Sequence, residues 1–368
     1  MAITDSTAPI ESVTVASYTV PTDAPESDGT LEWDATTLVL AHVTGGGRTG
    51  LGYGYADTAT ARLIHDRLAP LLHGRDALAT NARWHDMTVA IRNLGRPGIC
   101  AMAISVVDSA LWDLKARALG LPLAALLGRA RADIAVYGSG GFTSCSTPAL
   151  QAQLDSWAQQ GFAHVKMKVG RSPGDDVARV TAAAQSIGRQ TELFVDANGA
   201  YTRKQALWFA ERFAELQVAW FEEPVSSDDL AGLRLLRDRG PAGMAISAGE
   251  YGYDLPYFRR LLEAGAVDIL QADATRCGGV TGFLGVAALC EAFLVPLSSH
   301  CAPSLHLPLC CAARPAVHLE WFHDHVRIEH LLFDGAPDPV DGRLAPADDR
   351  PGFGLVFKEQ DARCFENP

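Results

Sequence analysis

No run of about 18 apolar residues occurs in the 368-residue chain, so the sequence offers no membrane-spanning helix. Nor is there an excess of positive charge. The 31 Lys and Arg face 43 Asp and Glu, and the net charge of −12 argues against a nucleic-acid binder. The eight cysteines (Cys100, Cys145, Cys277, Cys290, Cys301, Cys310, Cys311 and Cys364) contain no C-x-x-C pair, so zinc ribbons and thioredoxin chemistry are not expected. They read as small buried side chains of a reducing compartment. Met1–Glu11 holds two acids and no Lys or Arg, unlike a secretory signal, and a cytoplasmic location is expected. With 48% hydrophobic and 20% charged residues the chain has ample material for a core.

The first third reads as mixed α and β. Val13–Val20 and Thr36–Val43 have strand composition. The segment between them, 21–34, holds five acids, two prolines and a glycine, and is expected to be an exposed mobile loop, a candidate lid. Gly45–Gly47 fits a hairpin turn. Residues 56–72 and 101–119 carry apolar residues at helical spacing, and Gly120 and Pro122 stop the second helix.

From residue 132 short apolar runs alternate with helical stretches. The runs are Ile134–Gly138, His164–Val169, Leu193–Asn198, Val218–Glu222, Ala245–Glu250, Asp268–Asp273, Val295–His300 and Val317–Trp321. Eight strand–helix units suggest a closed parallel barrel. The last gap carries Pro303, Pro308 and Pro315, so a degraded final helix is expected there. Three segments follow: 1–131, 132–333, and a Pro/Gly/Asp-rich tail, 334–368, expected to return to the N-terminal part.

Titratable residues stand at the ends of seven of the eight runs: Lys166 and Lys168, Asp196, Glu222, Glu250, Asp273, His300 and Glu320. Their spacing of 20–28 residues places each at the mouth of its own strand, where barrel enzymes build active sites. Lys166 and Lys168 share one face of a strand, and two close cations should lower the pKa of Lys168 so that it can act as a base. Asp196, Glu222 and Glu250 would repel one another unless a cation joined them, and hard oxygen ligands suit Mg²⁺. Glu223, next along the strand, should face away from that metal. Asp273 can orient the His300 ring and raise its basicity.

The segments Lys166-x-Lys168, Asp196-Ala-Asn198, Glu222-Glu223-Pro224, Gly249-Glu250, Gln271-x-Asp273, Ser298-Ser299-His300 and Leu319-Glu320 together resemble the enolase superfamily, mandelate racemase subgroup. Ala103-Ile-Ser-Val-Val-Asp-Ser-Ala-Leu-Trp-Asp-Leu-Lys115 resembles its capping domain. The resemblance implies an α/β fold, a modified TIM barrel (β/α)7β with an N-terminal α+β cap. It implies Mg²⁺ on Asp196, Glu222 and Glu250, holding a small-molecule carboxylate substrate and stabilising an ene-diolate, the known chemistry of that superfamily. Lys168 and the His300–Asp273 pair would serve opposite faces of the α-carbon, and Lys166 would help neutralise the carboxylate. Glu320 matches a position that hydrogen-bonds a carboxylate oxygen, for which it must be protonated, its pKa raised. Asn198 and Ser139 match positions near the substrate. Tyr251-Gly252-Tyr253 departs from the Asn common after the third metal ligand.

Dehydration of an acid sugar to a 2-keto-3-deoxy acid is the favoured reaction. Racemisation or epimerisation, and cycloisomerisation of an anhydro-sugar acid, are the alternatives, the last because of the run Gln271–Thr281. A retaining glycosidase would need neither paired lysines nor a third acid, and a silent barrel should have lost a ligand or a base. A homo-oligomer without nucleic-acid or membrane partners is expected. Two cations against Asp196, Glu222, Glu250, Asp273 and Glu320 leave the site at −3, so the metal must bind before an anionic substrate.

Overall fold

The computed structural model describes residues 7–368; Met1–Ser6 of the acid-containing N-terminal stretch lie outside the described residues. The chain opens with an antiparallel sheet of β1 (Ile10–Ser27), β2 (Glu32–Gly45) and β3 (Arg48–Tyr55), in that order. Gly46 and Gly47 turn β2 into β3, both with positive φ (57° and 68°), as a two-residue primed turn requires. Long helix α1 (Ile99–Leu119) packs on this sheet at very close range. A Cβ on Gly52 would stand 2.2 Å from the Val106 carbonyl oxygen, and one on Gly50 2.3 Å from that of Ala110. Glycine at every second residue of β3 therefore lets helix backbone lie against strand backbone, at the cost of the β-branched composition that marks a strand.

The expectation of a mobile loop at 21–34 is overturned. Both flanking strands run through the segment and leave a tight turn at 28–31. Pro21 and Pro25 are tolerated because β1 is an edge strand, and its register shifts between Pro21 and Glu26. Buried Glu26 accepts the indole N–H of Trp33 at 2.8 Å. The tip is clamped to the rest of the molecule. Thr143 donates its backbone N–H to Ser27 O and its hydroxyl to Asp28 O, each at 2.8 Å. A Cβ on Gly29 would stand 2.5 Å from Ala197 O and 2.8 Å from Val169 O, so the tip rests on the barrel rim.

The barrel strands are β4 (Ile134–Gly140), β5 (His164–Lys168), β6 (Glu192–Asp196), β7 (Val218–Glu222), β8 (Ala245–Ala248), β9 (Ile269–Ala272), β10 (Leu297–Ser299) and β11 (Ala316–Phe322). All are parallel, and β11 pairs with β4 to close the ring. The crossover helices are α2 (Thr147–Gln159), α3 (Pro173–Ser186), α4 (Arg203–Glu215), α5 (Leu230–Arg239), α6 (Leu255–Glu263), α7 (Gly279–Phe293) and α8 (Pro303–Ala312). The last is a regular helix rather than a degraded one. Pro303 occupies its first turn, and Arg131 donates to the carbonyls of Cys310, Ala313 and Arg314 at its end, while Pro308 is accommodated inside it.

A further helix, α9 (His323–Leu332), follows β11 and joins barrel to cap. Tyr53 donates its hydroxyl to Glu329 at 2.6 Å, Thr36 donates to Asp324 at 2.5 Å, and Tyr55 stacks on His325 with centroids 3.3 Å apart. Beyond residue 333 the tail touches both units. Val356–Phe357 pairs with Phe333–Asp334, the Asn367 N–H donates to Ser17 O, and Arg343–Leu344 pairs with β4. Inside the barrel, strand alternation stacks two layers. His164, Phe194, Trp220 and His318 form an aromatic floor, with Phe194 and Trp220 stacked at 5.1 Å. Two residues further along the same strands stand Lys166, Asp196, Glu222 and Glu320. Replacing Gly29 by Ala is expected to lift the hairpin tip from the rim. Amide exchange at residues 28–31 should rise about tenfold while β5–β7 stay protected; unchanged exchange would contradict this seating.

Candidate active site

The C-terminal ends of the barrel strands open into a cavity of about 410 Å³, roofed by the β1–β2 hairpin. Its floor presents Lys168, Asn198, Glu250, Asp273, His300 and Glu320. Lys166, Asp196 and Glu222 lie fully buried beneath that surface. Ser139 is also fully buried, its hydroxyl without a partner, and does not line the cavity.

The charges are paired in a definite order. Lys166 contacts Glu222 and Glu320, each at 2.8 Å, and stands 3.6 Å from Asp196. The indole N–H of Trp220 donates to Glu222 at 3.1 Å. Lys168 contacts Asp196 at 2.5 Å. His300 Nδ1 faces Asp273 at 2.9 Å, and its Nε2 lies 3.1 Å from Glu250. Arg276 stands 3.6 Å from both Glu250 and Asp273.

Two expected shifts run the other way. Burial pushes the Lys168 ammonium down, but the touching Asp196 carboxylate and, behind it, Glu250 and Glu222 together outweigh burial and repulsion by Lys166, and hold Lys168 above the ordinary lysine value. Burial likewise favours a protonated Glu320, yet Lys166, then His300 and Lys168, hold it below the usual carboxylate range. Glu320 is therefore an acceptor, and it takes the Cys301 backbone N–H at 2.7 Å. The proton resides elsewhere. Burial and the Asp196 charge push Glu222 up to about 8 despite contact with Lys166, which is shared among three carboxylates. Burial would lower His300, but the thiol of Cys301, Glu250 and Asp273 hold it well above the usual imidazole value.

The backbone conformation of several residues here carries no sequence signal. Asn198, Glu223, Cys301 and Ala302 have positive φ, between 36° and 52°, so the backbone turns sharply just past three strand ends. At Glu223 that turn breaks strand alternation. The side chain is buried, burial and the Glu250 charge raise its carboxyl well above the usual carboxylate range, and it is not among the three residues whose oxygens group at the metal-type site. The Cys301 sulfur lies 3.3 Å from His300 Nε2, and burial pushes its thiol up to about 12, which excludes a thiolate nucleophile. Of the other cysteines, Cys364 is exposed and Cys145 half-buried; all eight are unpaired. Tyr251 lies under the Arg276 guanidinium, 5.2 Å from ring centre to cation.

Asp196, Glu222 and Glu250 each offer an oxygen within 4.8 Å of the others. This all-oxygen donor set, with no thiolate or imidazole in the trio, fits a hard divalent cation of the Mg²⁺ type.

Comparison with known proteins gives a consistent picture. Residues 11–128 match the family described as mandelate racemase / muconate lactonizing enzyme, N-terminal domain, and residues 149–361 match enolase C-terminal domain-like proteins. The chain is 33% identical over 356 residues to a 3,6-anhydro-alpha-L-galactonate cycloisomerase of Streptomyces coelicolor, covering 95% of this chain and 97% of that protein. A mandelate racemase/muconate lactonizing enzyme-like protein from Rubrobacter xylanophilus superposes with a TM-score of 0.96 at 56% identity, over 98% of this chain and 100% of that one. L-talarate/galactarate dehydratase from Salmonella typhimurium, liganded with Mg and L-lyxarohydroxamate, superposes at 0.90 with 28% identity, over 100% and 95%.

Because Glu222 retains a proton up to about pH 8, a cation binding there must displace it. Calorimetry should find Mg²⁺ affinity rising as pH increases from 6 to 8, by up to about tenfold per unit, and levelling off above. An affinity flat across that range would contradict the assignment of the proton.

Proposed function

The chain belongs to the mandelate racemase/muconate lactonizing enzyme family of the enolase superfamily, and from that premise we propose that it removes the proton α to a carboxylate of an acid sugar and expels a β-hydroxyl, giving a 2-keto-3-deoxy acid. In this reading Asp196, Glu222 and Glu250 hold Mg²⁺, which supplies positive charge to the substrate carboxylate and to the negative charge developing on it.

The observation that carries the reading is the opposition of two acid/base groups across one acid cluster. Lys168 on β5 reaches the cluster at Asp196 and His300, after β10, reaches it at Glu250. Around the eight-stranded ring β5 and β10 lie five strands apart one way and three the other. Lys168 Nζ would take the α-proton from one face, for which it must first give up the proton that Asp196 helps it hold; a divalent cation on Asp196 would weaken that hold. His300, oriented by Asp273, is placed on the other. Its raised pKa makes it an imidazolium, suited to protonating a departing β-oxygen.

Lys166 acts from below, neutralising Glu222 and Glu320. Asn198, whose Oδ1 is buried without a donor at the cavity wall, is suited to accept a substrate hydroxyl. Glu320, held ionised, suits a hydroxyl rather than a carboxylate oxygen. The second reading, cycloisomerisation with a ring-ether oxygen as leaving group, is favoured by the 33% identity to a cycloisomerase over nearly the whole chain. It uses the same acid and base.

A panel of acid sugars incubated with Mg²⁺ and assayed for keto-acid formation tests the proposal. Conversion of at least one member is expected, with Lys168→Ala and His300→Asn each lowering kcat/KM by about 10³-fold or more. Product that retains all its oxygen atoms would favour cycloisomerisation, and full turnover by both variants would overturn the assignment of the two groups.

A further inference from the structure

The cavity floor is charged, whereas its roof has a different character. The hairpin supplies Asp28, Leu31 and Trp33, the end of β3 supplies Tyr55 and Asp57, and α9 supplies His325. This roof contains two carboxylates and neither Lys nor Arg. His325 adds no cation, because burial and then the His300 charge hold it well below the ordinary imidazole value. Its Nδ1 accepts the Ala302 N–H at 3.2 Å. Arg276 also reaches the cavity, but its charge is matched by Glu250 and Asp273, each 3.6 Å away, and one of its N–H groups donates to Glu250 O.

Asp28 is the fixed point of the roof. It is only 7% exposed, and its Oδ1 accepts three hydrogen bonds, from Thr30 N, Leu31 N and the Thr30 hydroxyl, at 2.6, 2.7 and 3.2 Å. Oδ2 has no donor among the described residues. The carboxylate is thus held rigidly at the cavity with one oxygen unclaimed, and the clamp by Thr143 prevents the hairpin from carrying it away.

We propose that the substrate is a monocarboxylate whose distal end is uncharged and bears hydroxyls, and that Asp28 selects it by accepting a distal hydroxyl and repelling a second carboxylate. This rests on the reading that the floor engages a carboxylate. It separates aldonate-type acids, with a terminal CH₂OH, from aldarates of the same configuration, with a terminal carboxylate. A like charge placed against a partly desolvated, immobile carboxylate is strongly disfavoured, whereas a hydroxyl gains a charge-assisted hydrogen bond.

The test is calorimetric binding of a matched hexonate and hexarate, in the presence of Mg²⁺, to the Lys168→Ala variant, which binds without turnover. The hexonate is expected to bind tighter by about tenfold or more, a modest share of the penalty for a like-charge contact. Asp28→Asn keeps the Oδ1 acceptor of the turn and removes the charge, so it should narrow the gap, mainly by improving hexarate binding. Equal or tighter hexarate binding, an unchanged gap in Asp28→Asn, or no binding of either acid would overturn the proposal. Its failure is distinguishable from failure of the proposed chemistry: hexonate selectivity with no α-proton loss in the parent enzyme would overturn the chemistry alone.

Discussion

The structure depends on neutralising a buried excess of negative charge at the barrel mouth. Asp196, Glu222, Glu223, Glu250, Asp273 and Glu320 are all nearly inaccessible to water. Against them stand Lys166, Lys168, Arg276 and His300. An unpaired carboxylate in such surroundings costs several kcal/mol, so each cation takes up a particular duty. Lys166 is shared among three acids, Lys168 lies on Asp196, and His300 bridges Asp273 and Glu250. The groups proposed to move protons are therefore the groups that balance the carboxylates suited to a divalent cation. Metal affinity, proton inventory and catalytic geometry are consequences of one charge balance.

The rest of the fold protects that balance. The aromatic floor of Phe194, Trp220 and His318 closes the barrel below the charged layer, and the Trp220 N–H reaches up to Glu222. The cap closes it from above with a hairpin held at Thr143, Val169 and Ala197. Contacts from Tyr53, Thr36 and Tyr55 to α9 fix cap and barrel together, so the cavity roof is a built wall.

Much of this was legible in the sequence, and the limits have physical causes. The strand-end residues stood out because a parallel strand alternates with period two and a βα unit recurs every 20–28 residues, so Lys168, Asp196, Glu222 and Glu250 fall into step. The hairpin reads as a loop because its prolines and acids are loop-like in composition. An edge strand tolerates both, and no local pattern reveals that Gly29 rests on distant carbonyls. The directions of the Lys168 and Glu320 shifts are not legible in the sequence for a related reason. Spacing says that lysines and acids converge, but not that Asp196 lies nearer to Lys168 than its fellow cation does. Glu223 and Cys301 escaped because positive φ at a non-glycine residue is imposed by the surrounding fold.

The division of labour between Lys168 as base and His300 as acid is tested most directly by proton NMR in D₂O, with Mg²⁺ and an acid sugar that the parent enzyme dehydrates. His300→Asn should still exchange the α-proton while dehydration falls, and Lys168→Ala should lose exchange and dehydration together. Exchange retained in Lys168→Ala, or abolished in His300→Asn, would contradict that division.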